Sequence, residues 1–169
     1  MRDIVLYGHD VLRERCRPLE PGRDDDFLEI LLTDMRAVLR EYNGLGLAAP
    51  QVGEPVRAFI AGDDTGLPLA GHTVFLNPEL EPFGPRVRAE EGCLSFPGVW
   101  ADVERSHGVV IRALDRRWEP VTLELTGMAA RLAQHEFDHL EGVLLVDRMG
   151  MVKRRLLRSR LKRIQEGGC

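Results

Sequence analysis

The sequence predicts an α+β fold in which antiparallel β-sheets pack around a central helix, with a further helix near each end of the chain. Three observations carry this expectation. Apolar residues at Leu28, Leu31, Met35, Val38, Leu39 and Tyr42 form a helical stripe. Val121, Leu123 and Leu125 alternate with Thr122 and Glu124, so that one face of a strand is buried and the other wet. The run from Gly127 to Leu140 again reads as a helix and holds the residues with the most obvious chemistry.

In chain order, residues 4–19 mix short apolar pairs with charges and end near Pro18, which suggests a partly irregular arm. Pro21-Gly22 makes a turn, and Asp24, Asp25 and Asp26 offer N-cap carboxylates for a helix over about 25–42. Asn43-Gly44 is its stop. The segment Gly44-Leu45-Gly46-Leu47-Ala48-Ala49-Pro50-Gln51 is small and nearly featureless apart from Gln51. It reads as a loop leading into a strand, or as a wall where backbone approaches a ligand and one amide side chain is offered to it. Strand candidates follow at 56–61, 73–76 and 87–90, between turns bearing glycine and proline, and a hairpin joins 108–114 to 121–125. The helix 127–140 stops at Gly142. Val143 to Asp147 reads as a brief strand or extended return, and a last helix starts near Met151 with Val152, Leu156, Leu157, Leu161 and Ile164 on its apolar side.

At 169 residues the chain is expected to fold as one domain, residues 1–169, with a core of useful size. A composition of 44% hydrophobic and 30% charged residues is that of an ordinary globular protein. No apolar run approaches the roughly 18 residues of a membrane span, and the N-terminus lacks the apolar core of a signal peptide. A cytoplasmic protein with no membrane partner is the expectation. Three cysteines cannot build a full disulfide framework. Cys16 reads as a small buried hydrophobe, and Cys169, at the chain end, is expected to have no role. The net charge of −4 hides an asymmetry: seven lysines and arginines stand against Glu166 alone in residues 151–169, so the body is acidic and the tail basic.

The stretch Gln134-His135-Glu136-Phe137-Asp138-His139 carries the chemistry. His135 and His139, spaced i,i+4, share one helical face with Cβ atoms roughly 5–6 Å apart. Two ring nitrogens can then reach one divalent ion, with Glu136 beside a water on it. Two ordinary surface histidines on a helix are the bland alternative. A catalytic site of this kind normally has a third protein ligand. Downstream of the motif, Leu145 stands where one protease pattern has histidine, and Glu166 lies among the basic residues of the tail. The third ligand is therefore expected upstream, and Cys93, flanked by glycine and followed by Leu94-Ser95-Phe96-Pro97-Gly98, is the best candidate.

Gly44-Leu45-Gly46-Leu47-Ala48-Ala49-Pro50-Gln51, Glu91-Gly92-Cys93-Leu94-Ser95 and Gln134-His135-Glu136-Phe137-Asp138-His139 resemble the three signature motifs of peptide deformylases, in that family's order. Val11-Leu12-Arg13 with Pro18-Leu19 also resembles the family's N-terminal arm, so the likeness spans nearly the whole chain. It implies removal of the formyl group from N-terminal formyl-methionine of nascent chains, releasing formate. Cys93, His135 and His139 would then bind the metal: Fe²⁺ natively, with Ni²⁺, Co²⁺ or Zn²⁺ as substitutes. Glu136 would be the general acid/base, and the Gln51 side chain and Leu94 N–H would steady the oxyanion.

The same resemblance makes Gly44, Leu45 and Gly46 the wall for the substrate backbone. Met128, Arg131 and Leu132, on the His135 side of the helix, either line the methionine pocket or, for Met128 and Leu132, belong to the core. Trp100 stands where several relatives have arginine. Glu91 or Asp138 is expected to support a histidine or an arginine such as Arg105. The resemblance also suggests contact between the basic C-terminal helix and ribosomal RNA. The other readings are a different Cys-His-His metallohydrolase, such as a peptidase, and a non-catalytic ribosome-associated metal-binding module.

Overall fold

A computed structural model describes residues 2–63 and 65–167, so Cys169 lies outside the described residues. One antiparallel sheet of five strands runs through the molecule in sequence order. Its strands are β1 (Gly46–Ala48), β2 (Ala58–Ala61), β3 (Val74–Gly92), β4 (Trp100–Leu114) and β5 (Pro120–Thr126). Helix α1 (Asp25–Glu41) precedes the sheet and α2 (Gly127–Leu140) follows it. Three short helices close the chain: α3 (Leu145–Arg148), α4 (Met151–Leu156) and α5 (Arg158–Gln165). Helix α2 packs across the sheet on a core of Phe59, Phe75, Val109, Ile111 and Leu125, while α1 covers β1 and β2 through Leu28, Leu31, Leu32, Met35 and Val38. Cys16 is buried in the α2 core, where burial pushes its thiol up to about 12.

Helix α1 begins at Asp24, whose carboxylate caps no helix N–H; it accepts instead from Glu20 N–H, Arg17 and Arg23. Helix α2 ends as its sequence predicts. Gly142 is left-handed at φ 70°, and the N–H groups of Gly142 and Val143 close back on the carbonyls of His139 and Asp138. That is the paired hydrogen-bond pattern glycine favours after a helix. A Cβ at Gly142 would also sit 2.5 Å from the Arg13 carbonyl oxygen, so the helix end is seated on the N-terminal arm.

Four expectations are corrected. The strand candidates 73–76 and 87–90 are one strand, β3, whose register shifts fall between Leu76 and Glu79 and between Phe83 and Arg86. Pro78 and Pro85 lie at these two places. A proline cannot donate to the ladder, so the strand bulges there and continues. Strand β4 starts at Trp100 instead of Gly108, because its early inward positions include Arg105, a charge that hides the alternation. Residues 143–147 are not extended: Leu145–Arg148 is a helical turn, and the Asp147 carboxylate accepts from Leu144 N–H at 2.8 Å. The last helix breaks at Leu157. Leu161 and Ile164 are buried, but Val152 and Leu156 remain 77% and 76% exposed.

The N-terminal arm holds the site together from outside. Val5 N–H donates to Gln51 O, Tyr7 N–H donates to Ser95 O, and the Tyr7 ring stacks on Phe96 at 4.7 Å. One strand of chain thus ties the two loops that bear Gln51 and Cys93.

Candidate metal and catalytic site

Helix α2 places His135 and His139 on one face, one turn apart, with ring centroids 5.2 Å from each other. The loop after β3 brings Cys93 to that face. Cys93 Sγ and one nitrogen from each histidine lie within 4.8 Å of one another, and Sγ is 3.3 Å from His139 Nε2. Cys93 thus joins two histidines that lie more than forty residues further along the chain. A sulfur with two imidazoles is a set suited to Fe²⁺, Zn²⁺ and their neighbours rather than to hard cations.

The nitrogen of His135 not aimed at the cluster is held from behind. His135 Nδ1 lies 3.0 Å from Glu91 Oε2, which fixes the ring's orientation. Glu91 is itself buried and gripped by two arginines. Arg105 approaches it with Nε at 2.7 Å and Nη2 at 2.9 Å, and Arg131 Nη1 donates at 2.5 Å. Burial alone would raise the Glu91 carboxyl, but the hydrogen bonds from His135 and Arg105 outweigh it and hold the group well below the usual range. Arg105 also reaches Asp138 Oδ2 at 2.8 Å, and Asp138 in turn takes Arg148. Of the two supports the sequence suggested, Glu91 holds His135 and both hold Arg105.

Burial disfavours a charged ring in both histidines. In His139 it prevails and pushes the group well down, whereas hydrogen bonds to Cys93 and Glu91 raise His135. Glu136 points into the same space. It is 2% exposed, its Oε2 has no hydrogen-bond partner among the described residues, and burial pushes it up to about 7. An orphaned buried carboxylate oxygen beside three convergent donors fits a metal that carries a water.

Gln51 is 2% exposed and its orientation is determined. Its Oε1 accepts from Ala48 N–H at 2.9 Å, so Nε2 faces Cys93 Sγ at 3.4 Å and Ser95 Oγ at 3.3 Å. Leu94, next to Cys93, donates its N–H to no acceptor among the described residues. Gly46 lies against the carboxylate: a Cβ there would be 2.8 Å from Glu136 Oε1 and 2.7 Å from Leu132 Cδ1. Only glycine admits that approach.

These residues border a cavity of about 720 Å³. Gly44, Leu45 and Gly46 form one wall, and Met128, Arg131 and Leu132 come from α2. The three helix residues differ in what they can do. Met128 is 53% exposed at the rim and Leu132 is buried, while the Arg131 guanidinium is fully engaged with Glu91, Val103 O and Val87 O. Arg131 therefore shapes the wall without a free charge to offer. Sequence reasoning quoted Ser95 within a motif but gave it no role, although it is buried beside Gln51, and it missed the tie made by Val5 and Tyr7, which no motif reveals.

Comparison with known proteins agrees with this geometry. The polypeptide deformylase family model matches residues 1–155. The peptide deformylase of Thermotoga maritima is 43% identical over 162 residues, which covers 95% of this chain and 94% of that protein. That of Cytophaga hutchinsonii is 41% identical over 171 residues, covering 98% and 91%. Among solved structures, the Thermus thermophilus peptide deformylase superposes with a TM-score of 0.85 at 34% identity, covering 99% of each chain. The Thermotoga maritima structure gives a TM-score of 0.79 at 40% identity, covering 89% of this chain and 98% of that one.

Proposed function

The chain belongs to the peptide deformylase family, hydrolases that remove the formyl group from N-terminal formylmethionine, and we propose that Cys93, His135, His139, Glu136, Gln51 and Leu94 carry that reaction here. Supporting this most directly is the pairing of a three-donor cluster with a buried carboxylate whose Oε2 has no hydrogen-bond partner among the described residues.

Each group has a task. Cys93, His135 and His139 would hold a divalent ion, Fe²⁺ in the first instance, with Ni²⁺, Co²⁺ or Zn²⁺ able to substitute. When bound, the ion supplies Lewis acidity and lowers the pKa of a water beside it. Glu136 takes a proton from the attacking water and passes it to the amine that leaves, so formyl amide and water become formate and a free N-terminus. A carboxyl poised at about 7 is matched to both halves of that transfer at neutral pH. Gln51 Nε2 and the Leu94 N–H donate to the oxygen on which charge develops; one such donor is typically worth about 3–4 kcal/mol of barrier. Glu91, pinned by Arg105, orients His135.

The substrate backbone has two open strand edges to meet. β1 is the edge of the sheet, and β3 between Arg86 and Gly92 pairs with β4 on one side only. Gly44, Leu45 and Gly46 border the cavity at the first edge and Gly92 at the second. An extended peptide between them satisfies its N–H and C=O groups as an added strand does. The methionine side chain then sits by Met128 and Leu132.

Two other readings fit less well. A structural metal site closes with four protein ligands, whereas the cluster here offers three donors and has a buried carboxylate, Glu136, beside it. A peptidase would need room on both sides of the scissile amide; formyl and ordinary peptide substrates separate the two. The protein works as one cytoplasmic catalytic domain over residues 1–169 on nascent formyl-methionyl chains, with the basic segment 151–169 contacting ribosomal RNA. No helix among the described residues is long and apolar enough to cross a membrane.

The deciding experiment is formate release from a short formyl-methionyl peptide, using protein purified without oxygen, beside Glu136→Ala. Turnover that drops by two orders of magnitude or more in the variant, with metal retained, is expected, roughly the contribution of a positioned acid/base. Equal turnover in both would remove Glu136 from the mechanism. With iron on a thiolate ligand, air should also inactivate the enzyme.

A further inference from the structure

The cavity over Cys93 continues beyond its rim. Its wall along β3 includes Glu90 and Gly92, and Glu90 also lines a second, open groove of about 510 Å³. The strand register shows how they connect. Gly92 pairs with Trp100, Glu90 with Asp102 and Arg88 with Glu104, and residues directly opposite in an antiparallel pair project from one face. These rungs are exposed or half-exposed, whereas Glu91, Ala101, Val103 and Arg105 on the alternate rungs are buried. One face of the β3–β4 ribbon therefore leads outward from the cavity, from Gly92 to Arg88, about 13 Å at the rise of a strand.

Helix α4 supplies the other wall of the groove with Met151, Val152, Lys153 and Leu156. Met151, Val152 and Leu156 are 88%, 77% and 76% exposed, three large apolar side chains on six residues of helix. Arg88 is paired with Asp102 at 3.2 Å, while Glu90 and Lys153 have no ion pair among the described residues. Such a floor of both signs beside an apolar wall suits a polypeptide. A nucleic-acid backbone would meet Glu90 and Asp102 there.

Resting on the deformylase reading of the cavity, we infer that this groove receives the nascent chain beyond the two or so residues the cavity holds. About the third to the sixth residues run along the ribbon face, their apolar side chains against Met151, Val152 and Leu156. Trp100, whose ring lies over Gly92 where no side chain intervenes, forms the threshold between cavity and groove.

The test compares kcat/KM for formyl-Met-Ala-Ser with that for the same peptide extended by three residues that include leucine. The longer peptide is expected to win by roughly fivefold to tenfold, what partial burial of one apolar side chain supplies. Met151→Asp combined with Leu156→Asp should bring the ratio toward one at an unchanged melting temperature, and Leu156→Met should keep it. Equal kcat/KM for both peptides in the unmodified protein, with formate released from each, overturns the inference and leaves the deformylase reading intact. A ratio that survives the double substitution overturns it too. Formate from neither peptide removes the premise itself.

Discussion

Gly46 shows how closely single residues control this site. The space its missing side chain leaves is bounded by Glu136 Oε1, Leu132 Cδ1 and the carbonyl of Ile60. Ile60 belongs to β2, which pairs with β1 and cannot yield, so a methyl group must displace the carboxylate. Gly46→Ala is therefore expected to lower kcat by about a hundredfold, the effect of a shift near 1 Å at a reacting group, while the protein still binds its metal. An alanine variant with full kcat would show that β1 does not position Glu136. Gln51 was legible in the sequence as the one polar side chain of its segment. Its orientation was not, because that depends on Ala48 N–H donating to Oε1 and on Cys93 arriving from another loop.

Among the elements, α2 could be read from end to end: helical spacing, the histidine pair and the terminal glycine all lie within a dozen or so residues. β3 and β4 could not, because prolines interrupt the first and a buried arginine the second. The C-terminal helices divide the basic tail between two jobs. α5 docks through Leu161 and Ile164, and Arg160 donates to Pro97 O at 3.0 and 3.2 Å. α4 exposes Lys153, Arg154 and Arg155. Deleting the tail would strip the core as well as the charge, so charge reversal is the cleaner probe of ribosome contact. Arg154→Glu with Arg155→Glu is expected to weaken ribosome co-sedimentation and to flatten its salt dependence by about two phosphate contacts. Unchanged salt-sensitive binding would refute contact through α4.

On the scale of the whole molecule, Glu91 joins β3 to β4 through Arg105 and to α2 through Arg131 and His135. Glu91→Gln takes the carboxylate partner from Arg131 and leaves Arg105 with Asp138 alone, and breaking a buried pair in this way costs about 3–5 kcal/mol. A fall in Tm on the order of 10 °C is expected for a chain of this length, with metal affinity reduced by about tenfold or more through His135. The pH dependence follows from the depressed Glu91 carboxyl. Its contribution is present above the ordinary value of 4.5 and is lost as pH falls through its lower folded value. Thermal melts should therefore show the gap between the unmodified protein and Glu91→Gln closing in acid. A gap that widens there would assign the stabilisation to other groups.

Local sequence was enough for the α+β class, the course of α1 and α2, the pair His135 and His139 as candidate metal donors and Glu136 as acid/base candidate. All of these are local: apolar spacing along each helix, the terminal Gly142 and a five-residue His-Glu-x-x-His motif place them without reference to distant chain. It also singled out Cys93, though only by ruling out donors downstream. Tertiary structure alone decided which carboxylate stands behind His135, that Arg131 is held by Glu91 and two carbonyls, and that a groove under α4 adjoins the cavity. Those outcomes depend on β3 and β4 running past the bulges to bring Glu91 and Arg105 beside α2 and Glu90 and Asp102 beside α4, and no short-range pattern encodes a pairing between residues so far apart in the chain.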